Sequence, residues 1–213
     1  MKKLVSLVLA VCLAVGMMAT MSGCFGNKLV GKWEADIDMR DYMMKELGSN
    51  EEINIAKYLK LDSFNIPMIV EFGKDGKYNV NIDEKKFAKE IDKFKGALKD
   101  ALYGVFKDML NVDSNEAVDV AIKAQGMSME DLMKSFDSEV NLDSLFDEVK
   151  SKGKYEYDAK DGELSFEESG SDDEETWTIE LKGDKFKVTD YESDDDDEAE
   201  MFKNLLPITF EKQ

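Results

Sequence analysis

The chain has 213 residues, with 47 acidic against 28 basic side chains, a formal charge of −19 and no histidine. Without an imidazole it lacks the commonest general base and transition-metal ligand, which excludes Ser–His and Cys–His nucleophiles and His-ligated zinc. Such an acidic surface is repelled by nucleic acid, whose binding rests on neutralising phosphates, and no glycine-rich phosphate loop of the nucleotide-binding kind is present.

The first predicted element is a leader. Lys2 and Lys3 form a positive start, Leu4 to Met18 is apolar or small without charge or proline, and small residues follow. This is the secretory pattern, and its apolar run is shorter than the ~20 residues of a comfortable membrane span. It ends in Met21-Ser22-Gly23-Cys24, which resembles the lipobox of bacterial lipoproteins, although that family favours leucine where Met21 stands. The resemblance implies a signal peptide over residues 1–23, lipidation of the Cys24 sulfur, a short tether over 24–27, and a mature domain over 28–213 on the extracytoplasmic face of the cell membrane. In that family the anchor is a diacylglyceryl thioether with acyl chains such as palmitate, and two chains hold stably where one does not. The competing readings are a secreted protein with a chance cysteine and an uncleaved anchor helix. Cys12, the other of the two cysteines, falls in the leader, so the mature chain has no internal disulfide to form. Losing residues 1–23 removes Lys2 and Lys3, two positive charges, and takes the charge from −19 to −21.

Beyond the leader, Trp33, Ala35 and Ile37 alternate with charges, predicting a half-buried strand over 29–38. Met39–Leu47 has helical character, and 51–61 is read as a further short helix. Strands over 67–73 and 77–83 flank the turn Gly73-Lys74-Asp75-Gly76. From Phe87 through Ile91, Phe94, Leu98 and Val105 to Met109 the period becomes three to four, predicting a long amphipathic helix. Helices follow over 115–124, after Ser128 with Asp131 as a capping pair, and over Leu142–Val149, so that 84–150 forms one helical insertion. Strands return over 153–158, 162–168, 174–182, 185–191 and 206–212, with a hairpin signal at Gly183-Asp184. Pro207 stands at a strand start, where proline is tolerated.

Eight amphipathic strands joined mostly by tight turns predict an up-and-down antiparallel barrel, because closure removes exposed edges. The fold class is α+β, with the insertion 84–150 between the third and fourth strands. An open sheet packed on the helical block is the alternative. Gly31-Lys32-Trp33 on the first strand resembles the G-x-W of lipocalins, in which the tryptophan plugs one end of the barrel. The resemblance spans 28–83 and 153–213, and the long insertion and missing disulfide depart from secreted lipocalins. The layout is also similar to uncharacterised lipocalin-like surface lipoproteins of Gram-positive bacteria, a resemblance that implies no activity.

Trp33, Tyr155, Tyr157, Phe166, Trp177 and Phe186 are expected on one sheet face. They are either a packed interior or, as the lipocalin resemblance implies, the lining of a ligand cavity. The runs Asp172–Glu175 and Asp194–Glu198 are expected to be solvated, mutually repelling loops. Calcium is their alternative occupant, although neither run has EF-hand spacing. Met43, Met44, Met127, Met129 and Met133 are expected to fill core or to line an adaptable apolar surface. Asp36 and Asp38 share a strand face but form no recognisable catalytic constellation. The sequence thus predicts a non-enzymatic envelope lipoprotein without metal or cofactor. Its role would be to bind a small apolar ligand or an envelope protein; a structural or stress-related component, or an enzyme built on carboxylates, is the alternative.

Overall fold

The computed structural model describes residues 28–48, 54–139, 150–169, 175–193 and 196–213. The leader, the Cys24 site and the helix expected over Leu142–Val149 lie outside the described residues. The chain divides into two compact units, a helical one over 38–65 and 85–142 and a barrel one that holds all eight strands.

The strands are β1 (Gly31–Asp38), β2 (Asn65–Phe72), β3 (Lys77–Ile82), β4 (Ser151–Asp158), β5 (Glu163–Glu168), β6 (Glu175–Lys182), β7 (Lys185–Ser193) and β8 (Ile208–Lys212). They close in chain order, every strand antiparallel to its neighbours, and β8 returns to β1 through Trp33 opposite Lys212. The meander barrel expected from the alternation is therefore the fold. An antiparallel meander puts alternate connections at opposite ends. The links β2–β3, β4–β5 and β6–β7 are tight turns at one end; the four long links leave from the other.

At the tight-turn end, Trp33 is fully buried, and its Nε1 donates to the Leu29 carbonyl at 2.5 Å. The Lys212 ammonium sits 5.1 Å from the centre of the indole and donates to the Lys28 carbonyl at 3.4 Å. Gly31 makes this possible. Its φ is +134°, a region that disfavours side chains, and a Cβ there would lie 2.8 Å from the Lys212 Cε.

One irregularity re-aims a side chain. β6 and β7 pair Ile179 with Val188 but Thr178 with Asp190, so Thr189 is an extra residue on β7. Its hydroxyl donates to the Thr178 carbonyl at 3.2 Å. A bulge of this kind shifts the alternation by one, which turns Tyr191 inward opposite Trp177.

The helical unit holds α1 (Arg40–Gly48), α2 (Glu84–Leu110), α3 (Asn115–Ala124) and α4 (Met129–Glu139). The expected stripe on α2 is buried at Phe87, Ile91, Phe94, Leu98, Ala101 and Val105. Phe64 meets Phe87 and Phe94 edge-on at 6.1 and 5.7 Å, and Phe94 meets Phe136 of α4 at 5.9 Å. Val118, Ile122 and Met129 form a second small core with Leu102, Phe106 and Leu132. Caps set the helix starts: Ser114 Oγ accepts from Ala117 N and Ser128 Oγ from Asp131 N, both at 3.1 Å. The helix expected over 51–61 is reduced among the described residues to a single 3-10 turn, Ile55–Lys57, capped by Asn54. Its placement depends on non-local bonds, including Arg40 Nε to the Leu61 carbonyl at 2.6 Å.

One short helix, α5 (Asp196–Lys203), was not foreseen. The second acidic run was expected to be a loop throughout, but its residues Asp196–Glu198 open this helix.

Candidate functional site

The barrel interior is a continuous cluster of aromatic rings. Trp33, Phe72, Tyr78, Tyr155, Phe166, Trp177, Phe186, Tyr191, Phe202 and Phe210 are all buried. Toward the tight-turn end, Trp33 meets Phe186 at 5.0 Å and Phe72 meets Tyr155 at 4.7 Å. There Phe186 also stacks on Phe210 at 4.6 Å, and farther along Phe166 meets Trp177 at 4.8 Å. Phe72 of β2 reaches both Phe166 of β5 and Phe186 of β7 at 6.3 Å. Those strands are three apart around the barrel, so the rings meet across its interior.

Of the six aromatic residues predicted for this face, Trp33, Tyr155, Phe166, Trp177 and Phe186 are buried, whereas Tyr157, near the end of β4, is half-buried. Sequence reasoning missed Phe72, Tyr78, Tyr191, Phe202 and Phe210 as members of the cluster. Phe72, Tyr78 and Phe210 carried the alternation signal; Tyr191 and Phe202 depend on the bulge and on α5.

At the end with the long links, Phe202 of α5 is buried with its ring 4.3 Å from Tyr191 and 5.8 Å from Trp177. The Trp177 indole is fully buried, and its Nε1 has no acceptor within hydrogen-bond distance among the described residues. Nearby on β6, Glu175 is 3% exposed and directly opposite Phe166. It belongs to the first acidic run, so at this residue the expected solvated loop is replaced by barrel wall; Asp172–Glu174 lie outside the described residues.

Burial raises the Tyr78 phenol well above its ordinary value, and nearby Glu168, Glu175 and Glu167 push the same way against the Ser151 hydroxyl 3.2 Å away. Burial also raises Tyr155 and Tyr157. The fold favours the neutral phenols, so their contribution to stability is full below pH ~10 and is lost as pH rises through the folded-state values. Alkaline titration followed by phenolate absorbance should show a subset of tyrosines ionising only as the circular dichroism of the fold collapses. If all seven tyrosines ionise together near pH 10 with the fold intact, the phenols are not held in the interior.

The other candidates disperse. Asp36 is exposed, and Asp38 is used structurally, its Oδ1 accepting from Arg40 N and Phe64 N at 3.0 Å. Met43 and Met129 are buried, Met44 and Met133 are half-buried, and Met127 is exposed. A cluster that the sequence did not signal joins Lys57, Tyr58 and Asp108. Lys57 Nζ donates to the Tyr58 hydroxyl at 2.6 Å and to Asp108 at 2.9 Å, and Tyr58 donates to Asp108. These bonds push Lys57 up to about 12 and lower Asp108. At neutral pH the lysine is charged and the acid ionised, so the three side chains form a solvent-exposed ion pair joined through a phenol, of a kind that contributes little to stability. Among the described residues, no three potential metal-ligating side chains come together.

No family model, curated protein or solved structure matches this chain.

Proposed function

We propose that this protein is a binding module of the cell envelope, tethered to the extracytoplasmic membrane face through lipidated Cys24, whose partner is another envelope protein. In this reading the barrel is the scaffold and the helical unit carries the recognition surface. The observation that carries it is the ring-to-ring contact across the barrel interior, above all Phe72 with both Phe166 and Phe186. An interior occupied by its own side chains leaves the outer surfaces for recognition.

The helical unit offers such a surface. Val120 on α3 is 72% exposed, on the side opposite the buried Val118 and Ile122. Met109, at the end of α2, and Met127 are 65% and 44% exposed. Exposed Glu116, Asp119, Glu130 and Asp131 lie near them in sequence. A partner with an apolar centre and a basic rim suits that composition, since complementary charge speeds encounter and excludes wrong partners. The lipobox resemblance supports the tether, and the lipocalin resemblance of Gly31-Lys32-Trp33 supports the scaffold role without implying a reaction.

The tether is tested by mass spectrometry of the native N-terminus and by Cys24→Ala. The variant should be released to the medium or stay unprocessed, and an unmodified Cys24 on a membrane-bound mature chain would defeat this part of the reading. The partner is tested on intact cells with a photo-crosslinking residue at position 120 and a control at 187, which is exposed on the barrel wall. A discrete protein adduct is expected from 120 only, weakened by Met127→Asp. Identical adduct patterns from both positions, or none from 120, would overturn the partner reading.

A further inference from the structure

We propose that α5 is a displaceable stopper, and that beneath it lies a binding site for a small planar aromatic molecule carrying one hydrogen-bond acceptor. This site is separate from the surface proposed for a protein partner and does not depend on it.

Three observations meet at this point. First, the ring between Trp177 and Tyr191 is supplied by no strand: Phe202 comes from α5, in the link between β7 and β8. Second, α5 has eight residues, below the ~12–15 at which a helix becomes even marginally stable alone. Its described buried side chains are Ala199 and Phe202, so burial of these groups holds the helix down. A molecule making the same contact competes directly with it.

Third, Phe202 matches the site in shape but not in polarity. Trp177 Nε1 is buried and lacks an acceptor among the described residues, and a phenylalanine ring supplies none. A buried donor left unpaired is destabilising, whereas pairing it is favourable. A planar ligand lying against Tyr191 with a carbonyl or ether oxygen toward Trp177 would replace the Phe202 contact and add the missing bond. The bulge at Thr189 serves the same place, since it turns the Tyr191 ring toward Trp177. The chain's net charge of −19 disfavours anionic ligands, so the expected ligand is not an anion.

The test uses the mature chain with two probes of similar size, coumarin, which carries a carbonyl acceptor, and naphthalene, which carries none. Binding is measured by equilibrium dialysis, and opening by hydrogen exchange of peptides covering 196–203. Coumarin should bind saturably and speed exchange in 196–203 severalfold, with β6 and β7 unchanged. Phe202→Ala should tighten coumarin about tenfold, because the competitor is gone. The preference for coumarin over naphthalene, also about tenfold and the size of one good hydrogen bond, should disappear in Trp177→Phe. The proposal is overturned if coumarin does not saturate the wild type within its solubility, if it binds without faster exchange in 196–203, or if Trp177→Phe keeps the preference. If Phe202→Ala does not fold, the wild-type binding and exchange measurements decide alone.

Discussion

Trp33→Ala should destabilise the barrel by about 3–5 kcal/mol, the usual range for truncating a buried aromatic. The indole is fully buried, touches Phe186 edge-on, lies beneath the Lys212 ammonium and bonds the Leu29 carbonyl. Its removal opens a cavity at the tight-turn end and frees the segment before β1. The melting temperature should fall by on the order of 10 °C. Trp33→Phe, which keeps a ring but loses the Nε1 bond, should cost markedly less, with the bond itself worth about 1 kcal/mol. A Trp33→Ala midpoint within a degree or two of wild type would show that the ring does not anchor this end.

A second large effect is expected from the smallest possible change. Gly153 faces inward on β4 opposite Glu168, and a Cβ there would fall 1.7 Å from the Glu167 carbonyl oxygen and 2.9 Å from the Glu168 Cα. Backbone cannot yield as a flexible side chain can, so β4 and β5 would have to part. Two effects of Gly153→Ala oppose each other. Stiffening the unfolded chain stabilises by about 0.4–1 kcal/mol, and overpacking costs about 3 kcal/mol or more. The clash wins, and the variant should unfold at clearly lower denaturant with an unchanged slope. A variant as stable as wild type would mean that β4 and β5 do not approach this closely.

Much of this architecture was legible beforehand because it follows from short-range periodicity. A strand alternates faces every residue and a helix returns every three to four, so Trp33-x-Ala35-x-Ile37 and Phe87-x3-Ile91-x2-Phe94 announced their elements without reference to anything distant. Strand limits moved by a residue or two, as at β4, which starts at Ser151, and β8, which starts at Ile208. Closure was also inferable, since eight half-buried strands in a meander have few other ways to cover their edges.

The signals failed where the deciding partner was far away in sequence. Glu175 fell within the strand expected over 174–182 but also read as one acid among four in a solvated run, and its position opposite Phe166 buries it. Asp194–Glu198 read as loop because of its acids, yet Asp196–Glu198 belong to a helix in which Ala199 and Phe202 are buried. The segment 51–61 read as helix, yet capping by Asn54 and the Arg40–Leu61 bond leave one 3-10 turn among its described residues.

By itself, therefore, the sequence determined the strand and helix periods, the meander, the absence of imidazole chemistry and the acidic surface, because each is a property of composition or of neighbours a few residues apart. Only the tertiary structure decided that Phe72 meets Phe166 and Phe186 across the barrel, that Lys212 covers Trp33, that the Thr189 bulge aims Tyr191 at Trp177, and that Phe202 reaches both rings. The physical reason is that each of these contacts joins residues brought together by barrel closure and register, and closure is a cooperative result of all eight strands that no local window of the chain contains.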